Sequence, residues 1–131
     1  MRKARVLLAK TGLDGHMHGI KLIATGLRDA GIEVIYLGLR KSPEQIVQAA
    51  IQEDVDGIGL SSLSGAHMIH FPRVIELLKQ RGAESIKVFG GGIIPPEDIK
   101  ELKERGVVEI FVSGASLPEI VDFVKKVVIP R

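Results

Sequence analysis

The chain has 131 residues, no cysteine, and 18 lysine and arginine residues against 16 aspartate and glutamate residues, a formal charge of +2. This length suits one globular domain with one core, so we expect a single domain over residues 1–131. The lack of cysteine excludes disulfides, thiolate zinc sites and cysteine nucleophiles. Near-balanced charge with 4% aromatic residues argues against nucleic acid, and no apolar run reaches the roughly 20 residues of a membrane span, so we expect a cytoplasmic protein.

Short β-rich runs alternate five times with helical patterns along the chain. The predicted strands cover residues 6–9, 32–37, 57–60, 86–89 and 107–112. The helices between them are predicted from apolar residues that recur every three or four positions, as in Ile20, Ile23, Ala24 and Leu27. Each unit therefore has the pattern of one strand followed by one helix.

Local signals mark the ends of these helices. Ser42 and Gln45 have the spacing of a capping box, with Pro43 at the first helical position, so the second helix is predicted to begin there. The sequence Ser-Leu-Pro-Glu at residues 116–119 predicts a similar cap for the fifth helix. Pro72 either kinks the third helix or starts it.

Continuous apolar strands, each followed by a helix, predict a parallel sheet with helices on both faces. Five such units predict an α/β fold of the flavodoxin-like, doubly wound type with strand order 2-1-3-4-5. Ligands of such sheets bind beyond the carboxyl ends of the strands, here between strands 1 and 3. The loops at residues 10–18, 61–66, 90–95 and 113–117 are therefore the candidate binding loops.

The loop after the first strand is long and polar for its type, which suggests a function. His16 is a potential metal ligand, Asp14 could accept the other N–H of its ring, and Lys10 could neutralise Asp14. The spacing alone leaves a second interpretation open, a glycine-rich loop with a solvated histidine.

The other histidines and the glycine run are weaker signals. His67 and His70 are three residues apart on a predicted helix, which is as often a solvated face as a zinc site. Residues 90–92 form a Gly-Gly-Gly run without the pattern of a phosphate-binding loop. We interpret these glycines as relief of crowding between the fourth strand and its helix.

Three motifs at three predicted strand ends nevertheless match one family. Residues 14–19 match DxHxxG, residues 61–63 match SxL, and Gly91 and Gly92 follow the fourth strand in the matching order and spacing. Over nearly its whole length the chain resembles the cobalamin-binding domain of adenosylcobalamin-dependent mutases. The residues around the first and third motifs are similar to the acyl-CoA mutases, methylmalonyl-CoA mutase above all, more than to glutamate mutase.

The resemblance implies a cofactor and a set of site residues. Adenosylcobalamin would bind with its dimethylbenzimidazole base detached from cobalt, and His16 would take the place of that base as the lower axial ligand, tuned by Asp14 and Lys10. The detached tail would lie between strands 1 and 3, against small residues. The cofactor-binding residues implied in this way are Asp14, Gly15, His16, Gly19, Ser61, Leu63, Gly91, Gly92 and Gly114. The acyl-CoA mutases commonly have Gly-Thr after the fifth strand, where this chain has Gly114 and Ala115.

The implied reaction is a radical rearrangement of an acyl-CoA, first of all between methylmalonyl-CoA and succinyl-CoA. In this family the substrate binds on a TIM barrel, a fold of about 250 residues that the five units here leave no room for. The expectation is therefore a small subunit that is inactive alone and docks onto a separate large TIM-barrel subunit, with a homo-oligomer as an option for the isolated chain.

Other readings of the same residues stay open. The subunit could serve a related mutase, acting on isobutyryl-CoA or 2-hydroxyisobutyryl-CoA, or it could be a corrinoid carrier or chaperone without a mutase partner. A signalling receiver domain has the same predicted topology. A receiver, however, needs acidic residues at the first and third strand ends, where this chain has Lys10 and Ser61.

Overall fold

A computed structural model describes residues 3–11, 18–62, 67–92, 94–112 and 115–130, and within them five strands alternate with five helices. The strands are β1 (Arg5–Thr11), β2 (Glu33–Lys41), β3 (Gly57–Ser62), β4 (Lys87–Gly92) and β5 (Glu109–Val112). The helices are α1 (His18–Asp29), α2 (Pro43–Gln52), α3 (His67–Gln80), α4 (Pro96–Glu104) and α5 (Leu117–Val127). None of the helices in these ranges combines the length and the apolar character needed to cross a bilayer.

The five strands form one parallel sheet in the order β2-β1-β3-β4-β5. This confirms the predicted doubly wound, flavodoxin-like fold. β1 lies between β2 and β3, so the chain leaves β1 in one direction along the sheet and later returns to its other side. The ends of β1 and β3 are therefore the switch point at which sheets of this kind bind ligands.

Two apolar layers hold the helices against the sheet. We call the side covered by α2, α3 and α4 the α2–α4 face and the side covered by α1 and α5 the α1/α5 face. The core of the α2–α4 face includes Leu7, Ala9, Ile46, Ala50, Ile58, Leu60, Phe71, Val74, Leu78, Val88, Leu102 and Ile110. The core of the α1/α5 face includes Val6, Leu8, Ile20, Ala24, Leu27, Phe89, Ile120, Val124 and Val128. Alternate residues of β1 enter the two layers, as the period of a strand requires.

The predicted capping signals are confirmed at two helices. At α2 the backbone N–H of Gln45 donates to Ser42 Oγ at 3.1 Å, and the N–H of Ser42 donates to Gln45 Oε1 at 2.9 Å, which completes the capping box. At α5 the hydroxyl of Ser116 accepts from the N–H of Glu119 at 3.3 Å. Pro72 lies inside α3 and does not start it.

All five predicted strands differ from the observed ones by one to four residues at one or both ends. β2 runs to Lys41 rather than to residue 37, and its register with β1 shifts where Gly38 adopts a φ of 99°. β4 includes all three glycines, because each of them pairs with a residue of β3 despite its low strand propensity. β5 begins at Glu109, two residues later than predicted.

Polar contacts tie three strands together at the end of the sheet opposite the candidate loops. The backbone N–H of Arg5 donates to Asp56 Oδ2 at 2.9 Å, and the Arg5 guanidinium donates to Glu33 Oε2 at 2.7 Å and to the carbonyl oxygen of Glu53. Asp56 is 1% exposed. The amino ends of β1, β2 and β3 are thus held by charged hydrogen bonds.

Tyr36, the chain's one tyrosine, yields a prediction about alkaline stability. Its hydroxyl is buried and has no hydrogen-bond partner among the residues that the structure describes, and burial raises the pKa of Tyr36 above its usual value of about 10. The free energy of unfolding should therefore be undiminished below about pH 10 and fall as the pH rises through the raised pKa.

The measurement is a tyrosinate absorbance titration, which reads Tyr36 alone because the chain has one tyrosine. Tyr36→Phe should remove the titration and the associated alkaline loss, with a neutral or favourable effect on stability at pH 7, since it deletes a buried hydroxyl without a partner. Titration of the folded protein at the pKa of the unfolded chain would contradict this prediction.

Candidate functional site

Three predicted site residues meet in one row across the carboxyl ends of the central strands. Lys10 of β1 is paired with Ser61 of β3, and Ser61 is paired with Gly91 of β4. The preceding residues Ala9 and Leu60 belong to the α2–α4 core, so the alternation of a strand directs Lys10 and Ser61 to the α1/α5 face. We call Lys10, Ser61 and Gly91 the tip row.

Lys10 is only 2% exposed, which is unusual for a lysine. A buried ammonium group is tolerated where hydrogen bonds or an opposite charge compensate for the water that it has lost. Its position at the end of β1 therefore agrees with the predicted contact to a carboxylate after this strand. Asp14, the predicted partner, lies outside the described residues.

The glycines of β4 keep the next strand end free of side chains. A Cβ atom on Gly91 would lie 3.1 Å from the carbonyl oxygen of Phe111, and Gly92 has a φ of 137°, which side-chain-bearing residues rarely adopt. A Cβ atom on Gly90 would lie 2.6 Å from Cε2 of Phe71 in α3. The glycines do relieve crowding, but the helix concerned is α3 and not α4, the helix that follows β4.

An aromatic wall closes the tip row on the side of β5. Phe111 is paired with Gly91 and belongs to the α1/α5 core, where its ring meets that of Phe123 in α5 edge-on, with centroids 5.4 Å apart. Sequence reasoning missed Phe111. The signal that could have found it is its place in the alternation of β5, directly after Ile110, which faces the other core.

Two helices flank the tip row on the α1/α5 face. Gly19 lies in the first turn of α1. Two turns further on, a Cβ atom on Gly26 would lie 3.0 Å from Cδ1 of Leu117 at the start of α5, so a glycine at this position allows the two helices to approach closely. Gly26 was not singled out from the sequence, because close approach of two distant segments leaves no local pattern.

The described part of the predicted site fits a flat ligand that lies against the protein backbone. Between the buried Lys10 and the ring of Phe111, the row contains only the short hydroxyl side chain of Ser61 and the bare backbone of Gly91. The binding roles of all these residues stay predictions. Five of the predicted site residues also lie outside the described residues: Asp14, Gly15, His16, Leu63 and Gly114.

The interpretation of His67 as part of a solvated face was wrong. His67 is 4% exposed, and its Nε2 lies 2.9 Å from Oδ2 of Asp98 in α4. His70, one turn later, also has a buried Nδ1. Within the described ranges, no three histidine, aspartate or glutamate side chains converge in a way that could hold a metal ion.

The fold and the tip row define a flavodoxin-like ligand-binding domain, and comparison with known sequences identifies its family. The B12 binding domain family matches residues 4–121. The chain is 46% identical to the 2-hydroxyisobutanoyl-CoA mutase small subunit of Aquincola tertiaricarbonis over 127 residues. These aligned residues cover 97% of this chain and 93% of that protein. It is 41% identical over 116 residues to methylmalonyl-CoA mutase of Escherichia coli (strain K12), covering 88% of this chain.

The chain therefore belongs to the B12-binding domain family, as the three motifs predicted. Its relatives are mutases, enzymes of the isomerase class. The chain is thus a subunit or a domain of the kind found in these mutases. It spans nearly the full length of the small subunit but only 16% of the Escherichia coli mutase.

Solved structures agree on the fold. A cobalamin-binding protein from Desulfitobacterium hafniense DCB-2 superimposes with a TM-score of 0.81 at 22% identity, over 95% of this chain and 59% of that one. The signal receiver domain of NarL from Mycobacterium tuberculosis gives a TM-score of 0.73 at 16% identity, over 96% of each chain. The fold is thus shared by cobalamin-binding proteins and receivers, and at the strand ends where a receiver needs acidic residues this structure has Lys10 and Ser61.

The tip row yields a prediction about ligand access. Ser61→Leu would place a branched side chain between Lys10 and Gly91, where a bound cobalamin tail would lie, so the dissociation constant for cobalamin should rise about tenfold or more, the scale of an overpacking clash. The measurement is a visible-absorption titration with cobalamin, with urea unfolding to verify the fold.

A matched control is Val112→Leu, which enlarges an exposed residue at the same end of the sheet but on the α2–α4 face. This variant should bind cobalamin as the wild type does. Equal binding by Ser61→Leu and the wild type would show that the ligand does not occupy the tip row.

Proposed function

We propose that this chain is the small subunit of an acyl-CoA mutase and that it carries adenosylcobalamin at the tip row. The observation that carries the proposal is the meeting of Lys10, Ser61 and Gly91 at the β1/β3 switch point. These residues belong to three sequence segments that lie far apart along the chain, and each segment contains one of the family's motifs. Their juxtaposition on one face is what a single ligand contacting all three motifs requires.

The residues after β1 are proposed to hold the metal of the cofactor. His16 would be the axial nitrogen ligand, since imidazole suits cobalt, and Asp14 would accept the hydrogen bond of the other ring nitrogen. The buried Lys10 would stabilise the charge of Asp14. This relay orients His16 and sets its strength as a ligand.

The glycines and Ser61 are proposed to receive the detached nucleotide tail. Gly15 and Gly19 would line one wall and Gly91 and Gly92 the other, because only small residues let a flat base approach the backbone. Gly114, after β5, is a further proposed contact of the cofactor. Ser61 would donate a hydrogen bond to the tail, and Leu63 would pack against it. When bound, adenosylcobalamin supplies a carbon radical through homolysis of its cobalt–carbon bond, and the chain's own part is to bind and orient it.

The partner is proposed to be a separate large subunit whose TIM barrel binds the acyl-CoA. A relative that matches 97% of this chain over 93% of its own length is a small subunit, which supports this arrangement. The same match favours 2-hydroxyisobutanoyl-CoA as the substrate of the assembled enzyme. Methylmalonyl-CoA, the substrate expected from the sequence motifs, is the second candidate, supported by the similarity to the Escherichia coli enzyme.

Substitution of His16 tests the cofactor-carrying role. The wild-type chain should bind cobalamin with its base detached and with a protein nitrogen on cobalt, and His16→Ala should lose that nitrogen. Visible absorption reports the detached base, and electron paramagnetic resonance of the reduced cobalt(II) form identifies the axial nitrogen.

His18→Ala is the matched control, because His18 lies two residues away and has no predicted role in binding. It should keep the spectrum of the wild type. Detachment of the base by wild type and His16→Ala alike, with the same axial nitrogen signal, would contradict the assignment of His16.

Reconstitution tests the partner and the substrate. Mixed with the large subunit of 2-hydroxyisobutanoyl-CoA mutase from Aquincola tertiaricarbonis and adenosylcobalamin, the chain should form a complex on size exclusion and support turnover that neither subunit shows alone. Comparison of 2-hydroxyisobutanoyl-CoA with methylmalonyl-CoA decides the substrate. Absence of both complex and turnover would contradict the proposed partner, and turnover of methylmalonyl-CoA alone would reverse the order of the candidates.

A further inference from the structure

We propose that His67 is a positioning residue for the cofactor site and acts through its hydrogen bond to Asp98. The proposal rests on the proposed function, because the ligand that it concerns is the cobalamin of that site. His67 does not touch the tip row. It joins the start of α3 to the start of α4, and the chain reaches these helices directly from the ends of β3 and β4.

His67 and Asp98 both lie a few residues after a strand that contributes to the tip row. His67 is the first residue of α3, five residues after Ser62 at the end of β3, and Asp98 lies in the first turn of α4, six residues after Gly92. The hydrogen bond of 2.9 Å between them therefore fixes the distance between the start of α3 and the start of α4, the two helices that follow the strands of the tip row.

The start of α4 explains why Asp98 is available to His67. The N-cap of α4 is Pro95, which has no N–H and forms no side-chain capping bond. In a capping box, a glutamate or glutamine at the third position of the helix accepts from the N-cap N–H, as Gln45 does in α2. That partner does not exist in α4, and the carboxylate of Asp98 accepts the Nε2–H of His67 instead.

Packing extends the connection back to β4. The ring of His67 meets the ring of Phe71 edge-on, with centroids 6.4 Å apart, and Phe71 is fully buried in the space that Gly90 leaves open. Contacts therefore run from Gly90 through Phe71 and His67 to Asp98. They lie at both ends of the connection from β4 to α4, which begins directly after Gly92.

A histidine at this buried position is unfavourable for stability. The Nδ1 atom of His67 is buried and has no hydrogen-bond partner among the described residues, a condition that costs free energy of folding. A phenylalanine ring would fill similar space without a polar atom to desolvate. What phenylalanine cannot supply is the hydrogen bond to Asp98, so we attribute the histidine to positioning rather than to packing.

The test compares two substitutions of His67 in the full chain. His67→Phe should leave the urea midpoint of unfolding unchanged or raise it, and should increase the dissociation constant for adenosylcobalamin about tenfold, the effect of one lost hydrogen bond. His67→Gln, whose amide nitrogen can reach the position of Nε2, should restore most of the affinity. A purely structural role would make binding follow stability and would give no such rescue.

Two further variants complete the design. His70→Phe is the control, because His70 lies one turn along the same helix and also has a buried Nδ1 without a partner among the described residues. It should bind as the wild type does. Asp98→Ala should weaken binding as His67→Phe does, and the double variant should be no weaker than either, since both remove one interaction. Asp98 is partly exposed, so this arm remains informative if His67→Phe does not fold.

The outcomes separate the two proposals. If the wild-type chain does not bind cobalamin with its base detached, the proposed function fails and this inference fails with it. If the wild type binds in that way and both His67→Phe and Asp98→Ala bind equally well, the positioning role is overturned and the proposed function stands. Additive losses in the double variant would also overturn it.

Discussion

The parallel pairing of β1 with β3 is the constraint on which the rest of the structure depends. Connections between parallel strands are right-handed, and the steps from β1 to β2 and from β3 to β4 run in opposite directions along the sheet, so they place α1 and α3 on opposite faces. The chain therefore leaves the ends of β1 and β3 in opposite directions. The crevice that results holds Lys10 and Ser61 side by side.

The charged hydrogen bonds of Arg5 and the tip row lie at opposite ends of the sheet. At the amino ends, Arg5 is hydrogen-bonded to Asp56, Glu33 and Glu53, which holds three strands together. At the carboxyl ends, β3 finishes in serine residues and β4 in glycine residues, which contribute little packing.

His67 shows how a site can depend on residues that its ligand does not touch. The tip row lies on the α1/α5 face, whereas His67, Phe71 and Asp98 lie on the other side of the sheet, among α3 and α4. The proposed link between the two sides is the connection from β4 to α4, which begins directly after Gly92. An unfavourable buried nitrogen in this position is what a compromise between stability and function would produce.

Much of this architecture followed from sequence alone, because its signals are local. The alternation of apolar strands with capped helices predicted the strand order, and the motifs at residues 14–19, 61–63 and 91–92 predicted the family. Ser42 could be recognised as a cap because its partner Gln45 is three residues away. Tertiary structure decided what distant residues do to one another. Gly90 extends a strand because it pairs with β3 and admits Phe71, and His67 is buried because Asp98, 31 residues later, accepts its hydrogen bond. A single sequence carries no local trace of such contacts, since each depends on where the other element packs.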